Sequence, residues 1–291
     1  MSLTKTTFGN FELFTIETGD FTLDGGAMFG VVPKSLWSRR IQPDEQNQIP
    51  MTMRCLLIKS KQTGKVYLID NGAGTKFNEK MESIYQLDYS TKNLLGSLKF
   101  HGFNPEDVTD VIFTHLHFDH CGGTTYYDDA HNLKETFPKA KYHVHKEQWA
   151  SATNPNAREI ASFFPENIQP IANSGRLNLV ENGQEFEPGL SFVRANGHTT
   201  AQMLPKLDTD KQTLVFAADL IPTRHHLPLP YVMGYDMRAE QTLIEKQEFL
   251  DRAIAENWLL FLEHDYDQEV IRVGIEKGKY AVSEFLTLAE I

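Results

Sequence analysis

The sequence predicts an α/β protein built of sheets with helices packed on their outer faces. Three observations predict it: short β-rich apolar runs recur along the chain, tight turns join some of them into hairpins, and segments of helical spacing fall between others. In runs such as Val111-Ile112-Phe113 every residue is hydrophobic, the pattern of a strand buried on both faces.

The elements follow in order. Residues 1–50 are loop-rich, because Asp24-Gly25-Gly26 and Val32-Pro33 punctuate an apolar, aromatic segment that holds Met28, Phe29 and Trp37, and this segment reads as a lid or surface strap. Residues 54–60 and 65–70 read as two strands joined by a tight turn at Gln62-Thr63-Gly64 and followed by the glycine loop Asn71-Gly72-Ala73-Gly74. Over 91–101, Leu94, Leu95 and Leu98 keep helical spacing, and Gly102 is a natural stop. Asn104-Pro105-Glu106-Asp107 starts a short helix, after which the strand at 111–113 leads directly into a histidine cluster. Beyond the cluster come a strand at 142–145, a helix around 147–152, strands near Leu177 and Phe192, and strands at 202–207 and 213–217. Leu243, Leu250 and Ile254, with Phe249 and Ala253 beside them, mark an amphipathic helix that feeds a strand at 259–262. No repeat and no Pro/Gly/Ser linker divides the chain, so residues 1–291 read as one domain.

Charge and composition exclude several classes. With 28 basic against 39 acidic residues the net charge is −11, and no Lys/Arg block interrupts it, so neither nucleic acid nor a membrane surface is an expected partner. Hydrophobic residues make up 41% and charged residues 23%, a globular rather than a disordered composition. No apolar run approaches the ~20 residues that cross a bilayer. Residues 1–20 lack the basic start and apolar stretch of a secretion signal, and two cysteines, Cys55 and Cys121, suit a reducing compartment; the expected location is the cytoplasm.

The chemistry is concentrated in Thr114-His115-Leu116-His117-Phe118-Asp119-His120-Cys121-Gly122-Gly123, which places four potential metal ligands within six residues on a loop leaving a strand. His115 and His117, two apart, can point into one pocket while Asp119 and His120 are carried past it. Imidazole with carboxylate suits zinc and its first-row neighbours, and so compact a cluster can serve two ions. Glycines at 122 and 123 are expected to let the backbone turn tightly behind the ligands. Four ligands do not suffice for two ions that keep open positions, and three more stand at the ends of apolar runs: His198 after the strand around Phe192, Asp219 after Val215-Phe216-Ala217-Ala218, and His264 after Phe261-Leu262-Glu263. That placement puts them at one edge of a sheet, where ligand sites of layered α/β proteins gather. Other histidines read otherwise: His143 and His145 as an exposed strand face, His225 and His226 as a solvated loop. Cys121 reads as buried packing.

On these seven residues the chain resembles the metallo-β-lactamase superfamily, whose His-x-His-x-Asp-His motif is matched at 115–120. The resemblance implies a four-layer αβ/βα sandwich of two mixed sheets with helices outside. It implies that His115, His117 and His198 hold one metal, that Asp119, His120 and His264 hold a second, and that Asp219 bridges them. Asp70, ending Leu68-Ile69-Asp70, resembles the aspartate that braces the ligand loop. Asp24 to Gly30 resembles the amino-terminal region of the branch that contains N-acyl-homoserine lactonases and methyl-parathion-hydrolase-like enzymes, so residues 1–50 are expected to border the active site. Homoserine lactonases carry a tyrosine three residues after the bridging aspartate; this chain has Pro222, and Tyr231, Tyr235, His225 and His226 are the nearby candidates to replace it.

The activity implied is that of a dinuclear metal-dependent hydrolase in which a metal-bridging hydroxide cleaves a small ester or lactone. Two divalent ions, zinc first and manganese, cobalt or iron as alternatives, lower the pKa of a shared water from about 15.7 towards about 7. Asp119 is placed to pass a proton to the leaving group. Phe29, Trp37, His226 and Tyr231 are the expected substrate contacts, although the Phe29/Trp37 stripe also reads as core. Two alternatives stay open: a glutathione thioesterase, for which Arg272, Lys277 and Lys279 are the available bases, and an iron-dependent sulfur dioxygenase. The expected partner is a small-molecule substrate, with homodimer formation left open.

Overall fold

The computed structural model describes residues 4–291. Its chain opens with β1 (Lys5–Phe8), β2 (Phe11–Asp24), β3 (Gln48–Ser60), β4 (Val66–Ile69) and β5 (Asp110–Ile112). A separate hairpin of β6 (Thr125–Tyr127) and β7 (Leu133–Glu135) follows, then β8 (Lys141–His145) and β9 (Leu177–Val180). The first sheet runs in the order β1-β2-β3-β4-β5-β8-β9, antiparallel as far as β4 and parallel from there on. A second sheet orders β10 (Leu190–Ala195), β11 (Gln202–Asp208), β12 (Thr213–Phe216), β13 (Leu259–Phe261), β14 (Val270–Glu276) and β15 (Lys279–Leu286), with β12 and β13 parallel and the other neighbours antiparallel.

Period-two alternation explains the layers. In β3, Leu56 and Ile58 join the core between the sheets while Cys55 and Leu57 turn outward; in β4, Tyr67 and Ile69 point inward while Val66 and Leu68 point out. The inward set meets Leu204, Leu214, Phe216, Leu260 and Ile271 of the second sheet. The outward set is covered by α4 (Leu94–Phe100), α6 (Lys146–Thr153) and α7 (Pro165–Asn173), through Leu98, Ala152, Ile168 and Ile171. On the far side α8 (Ala239–Ala255) packs Phe249, Leu250 and Ala253 onto the second sheet, which completes the four layers.

Several elements differ from the sequence reading. Residues 11–24, assigned to a loop-rich extension, form one 14-residue strand that pairs with β3 along its length, with an irregularity between Glu17 and Asp20. The turn residues that follow it, Asp24-Gly25-Gly26 and Val32-Pro33, draw the whole segment into a loop reading, although Phe11, Leu13, Phe21 and Leu23 keep a strand's period of two. The connection back to β3 holds two short helices, α1 (Gly25–Phe29) and α2 (Lys34–Trp37), and α3 (Glu79–Tyr85) lies between β4 and α4. The β14–β15 hairpin carries little signal because β15 is mostly exposed. Helix α7 contains Pro170, which reads as a breaker. His143 and His145 are buried rather than exposed: His143 donates to the Asp110 carboxylate at 2.7 Å and accepts from the Asn178 amide at 2.9 Å. Among the described residues no helix is long and apolar enough to cross a membrane.

Candidate metal centre

The ligand loop leaves β5 and ends in a one-turn helix, α5 (Phe118–Cys121), with His117 at its N-cap. Asp70, at the end of β4, holds the loop's entry. One of its oxygens accepts the Thr114 N–H at 2.8 Å, and the other accepts the Thr114 hydroxyl at 2.7 Å. Gly122 then passes so close to the glycine loop that a Cβ there would stand 1.9 Å from the Ala73 carbonyl oxygen. Its backbone is right-handed helical, at φ −65, so close approach rather than the expected turning is what demands glycine. From the second sheet, His198 follows β10, Asp219 follows β12 and His264 follows β13. Parallel neighbours end at the same edge, which brings these side chains to the end of β5.

All seven predicted ligands are buried and converge. One ligand atom each from His115, His117, His198 and Asp219 lies within 4.8 Å of the others, and the same holds for Asp119, His120 and His264. His117 Nδ1 stands 3.0 Å from His115 Nε2 and 3.1 Å from His198 Nε2; His120 Nε2 and His264 Nε2 face each other at 3.3 Å. Asp219 lies between the sets, Oδ2 at 3.1 Å from His198 Nε2 and Oδ1 at 3.1 Å from His264 Nε2. Several ring nitrogens aimed at one small volume cannot all satisfy one another as hydrogen-bond partners. A cation accepting their lone pairs can, so the donor set fits two divalent ions.

The outer ring nitrogens fix which inner one faces the centre. His115 Nδ1 meets Thr114 Oγ1 at 3.0 Å, His120 Nδ1 meets Asp70 Oδ2 at 3.0 Å, His198 Nδ1 meets Asp236 at 2.9 Å, and His264 Nδ1 meets the Thr52 carbonyl at 3.0 Å. The Asp219 carboxyl is held well below the usual carboxylate range: burial opposes its charge, but His198, His120 and His264 outweigh it. Burial, with His120 and His117 beside it, pushes the His115 imidazole well down, so both side chains favour the forms that bind metal.

Sequence reasoning missed the residues that face the centre from elsewhere. Glu263, fully buried, sets a second carboxylate 3.1 Å from His120 Nδ1 beside Asp70; burial, with the Asp70 charge and against the pull of His120, pushes it up to about 7. Its neighbour His264 is one of the seven predicted ligands, and nothing in the local pattern marks the glutamate itself. Asp236, Glu159, Tyr85 and Arg158 were likewise not singled out.

The centre floors a cavity of about 160 Å³ whose apolar wall includes Leu23, Met28, Met51, Phe118 and Met233, with Tyr85, Tyr235, Arg158 and Glu159 among its polar groups. Leu23 and Met28 bring the N-terminal segment to the site. Phe29, Trp37, His226 and Tyr231, expected as substrate contacts, do not line it. Phe29 is fully buried, stacked between Trp37 at 5.4 Å and His226 at 4.5 Å, with the Tyr231 ring against its edge. His226, expected in a solvated loop, bonds to the Met28 carbonyl at 2.9 Å and to the Thr223 hydroxyl at 2.8 Å. The stack is the packing behind Met28 rather than the surface a substrate meets. Of the four candidates to replace the missing tyrosine, only Tyr235 is on the wall; Cys121, as expected, is buried packing.

Comparison with known proteins agrees with this geometry. A family model described as the metallo-beta-lactamase superfamily matches residues 54–264. N-acyl homoserine lactonases of a Bacillus species and of Bacillus cereus are 25% and 26% identical over 179 and 175 residues, covering 60% and 59% of this chain. The match spans 63% and 62% of the length of those relatives, under two thirds of each. Among solved structures, a probable metal-dependent hydrolase from Staphylococcus aureus superposes with a TM-score of 0.87 at 26% identity, covering 97% of this chain and 98% of that one. AidC, a dizinc quorum-quenching lactonase, superposes with a TM-score of 0.79 at 22% identity over 98% of both chains, a likeness of fold.

Proposed function

Because this chain belongs to the metallo-beta-lactamase superfamily, we propose that it is a dinuclear metal-dependent hydrolase that opens a small lactone or cleaves a small ester. The observation that carries the reading is Asp219, whose two oxygens face two separate sets of ligand nitrogens. The two curated relatives described above, both N-acyl homoserine lactonases, favour a lactone.

His115, His117 and His198 would hold one ion, Asp119, His120 and His264 the other, with Asp219 shared. Zinc is the metal assigned, since imidazole and carboxylate suit it and a solved relative is dizinc. When bound, two such ions supply an activated water and polarise the scissile carbonyl. Asp119, at the pocket floor, is placed to hand a proton to the leaving oxygen. The Tyr235 hydroxyl is assigned the carbonyl contact for which Pro222 offers nothing. Apolar side chains including Leu23, Met28, Met51 and Met233 accept an acyl or aryl group, and methionine adapts to varied shapes. The bases that a glutathione carrier would need, Arg272, Lys277 and Lys279, lie on the β14–β15 hairpin and do not line the cavity. The partner assigned is a small molecule, with no role for nucleic acid or membrane.

The test is turnover by metal-depleted protein, reconstituted separately with zinc, manganese, cobalt and iron, on lactone, aryl-ester and glutathione-thioester panels. Metal-dependent cleavage of lactones or esters is expected. Thioester cleavage alone, or oxygen uptake by a one-iron form with no hydrolysis, would overturn the reading.

A further inference from the structure

We propose that Glu159 is a positioning residue of the metal centre: it takes the outer nitrogen of His117 and thereby fixes the inner one in the ligand set. The inference rests on the two-metal reading above. His117 differs from the other four imidazoles. Their outer nitrogens each meet an oxygen at 2.9 or 3.0 Å. His117 turns Nδ1 towards His115 and His198, and its outer Nε2, wholly buried, has no hydrogen-bond partner among the described residues. The oxygen it faces is Glu159 Oε1, at 3.7 Å. That gap is within a small side-chain rotation of a hydrogen bond, and a ring whose inner nitrogen binds a cation carries its proton on the outer one.

Glu159 is built to wait there. It is 5% exposed, Oε1 accepts the Thr199 hydroxyl at 2.6 Å, and Oε2 accepts the Asn156 amide at 2.6 Å. Thr199 follows His198 directly, so one carboxylate ties together the loops that carry two ligands of the same ion. Those donors are neutral, and a buried carboxylate with only neutral donors lacks the positive partner that an imidazole N–H on a cation supplies. Glu159 also belongs to the cavity wall, beside Arg158, whose guanidinium bonds to the Gly234 carbonyl. The wall and the ion of the His115/His117/His198 set therefore share one anchor.

The competing role is purely local, since Asn156 Oδ1 also accepts the Arg158 and Glu159 backbone N–H groups and Glu159 could serve only to shape that loop. Metal binding separates the two. Metal-depleted wild type, Glu159→Gln and Glu159→Ala are titrated with Zn(II) against a chromophoric chelator and, separately, with Co(II) followed by visible absorption; the melting temperature of each metal-free form is recorded. Wild type taking up two ions upholds the two-metal reading, and fewer than two would bring down that reading and this inference with it. With two ions in wild type, both variants are expected to bind one ion as wild type does and the other about 10- to 100-fold more weakly, with altered Co(II) bands for that ion alone. Wild-type affinities and Co(II) spectra in the variants, whatever their metal-free melting temperature, would overturn the proposal. Should Glu159→Ala fail to fold, Glu159→Gln, which keeps the volume and removes the charge, decides the matter alone.

Discussion

Asp219 shows how a single side chain comes to lie between two sets of ring nitrogens. Its carboxylate is buried at the end of a strand from one sheet, and its charge is maintained by imidazoles that arrive from three other segments. The sequence made these ligands legible because each stands just after an apolar run, where the chain leaves a sheet. The partners on the outer nitrogens were harder to read. The Thr52 carbonyl reaches His264 across 212 residues, and Asp236 reaches His198 across 38, contacts that exist only once the layers have packed. Tyr235 was named in the sequence only as one of several replacements for the missing tyrosine, and the cavity wall separates it from Tyr231 and His226. Tyr235→Phe is expected to lower kcat by about 10-fold or more while metal content stays at the wild-type value, read by steady-state kinetics beside elemental analysis. An unchanged kcat would remove Tyr235 from the chemistry.

Among the elements, the paired strands β2 and β3 do most to shape the site. Their far ends, past the irregularity at Glu17–Asp20, leave the sheet's core and supply Leu23 and Met51 to the cavity wall. The helices between them, α1 and α2, fold the aromatic stack against that wall. The resemblance in this segment pointed to the neighbourhood of the cavity that Leu23 and Met28 line, and assigned the segment's rings to the substrate. Composition cannot tell an aromatic that lines a pocket from one that backs it, because both are apolar. Trp37, 1% exposed and packed against Gly25, belongs to the second kind. Trp37→Ala is therefore expected to cost about 3–5 kcal/mol of stability in denaturant melts and to leave the ranking of acyl chain lengths as in wild type. A changed ranking at unchanged stability would return Trp37 to the substrate surface.

For the whole molecule, the layered fold was readable because strands buried on both faces announce themselves as continuous apolar runs, whereas β15, largely exposed, and α7, with its internal proline, do not. The fold also fixes how stability responds to acid away from the seven candidate ligands. Burial holds His226 down to about 3 and, helped by Arg224, His225 down to about 4. Both pKa values lie below the unfolded value of about 6.5. The unfolded chain thus binds protons that the native one refuses, and this stability is complete above about pH 6.5 and lost as the pH falls towards 4 and then 3. His226→Phe keeps the stack and removes one titrating group. It is expected to be less stable than wild type at neutral pH by about 1–3 kcal/mol, for the lost hydrogen bonds, and its unfolding free energy from urea melts should then fall less steeply with acid, by about 1.4 kcal/mol per pH unit below 6. Parallel pH profiles for the two proteins would contradict the assignment.

Seven side chains from both sheets are proposed to build one centre for two ions. Counting metal tests it most directly: elemental analysis of wild type, His117→Ala and His264→Ala, purified alike and dialysed against the same trace of zinc. About two ions per chain are expected in wild type and about one in each variant, with lactone and ester turnover lost in both. One ion in wild type, or two retained in either variant, would contradict the account.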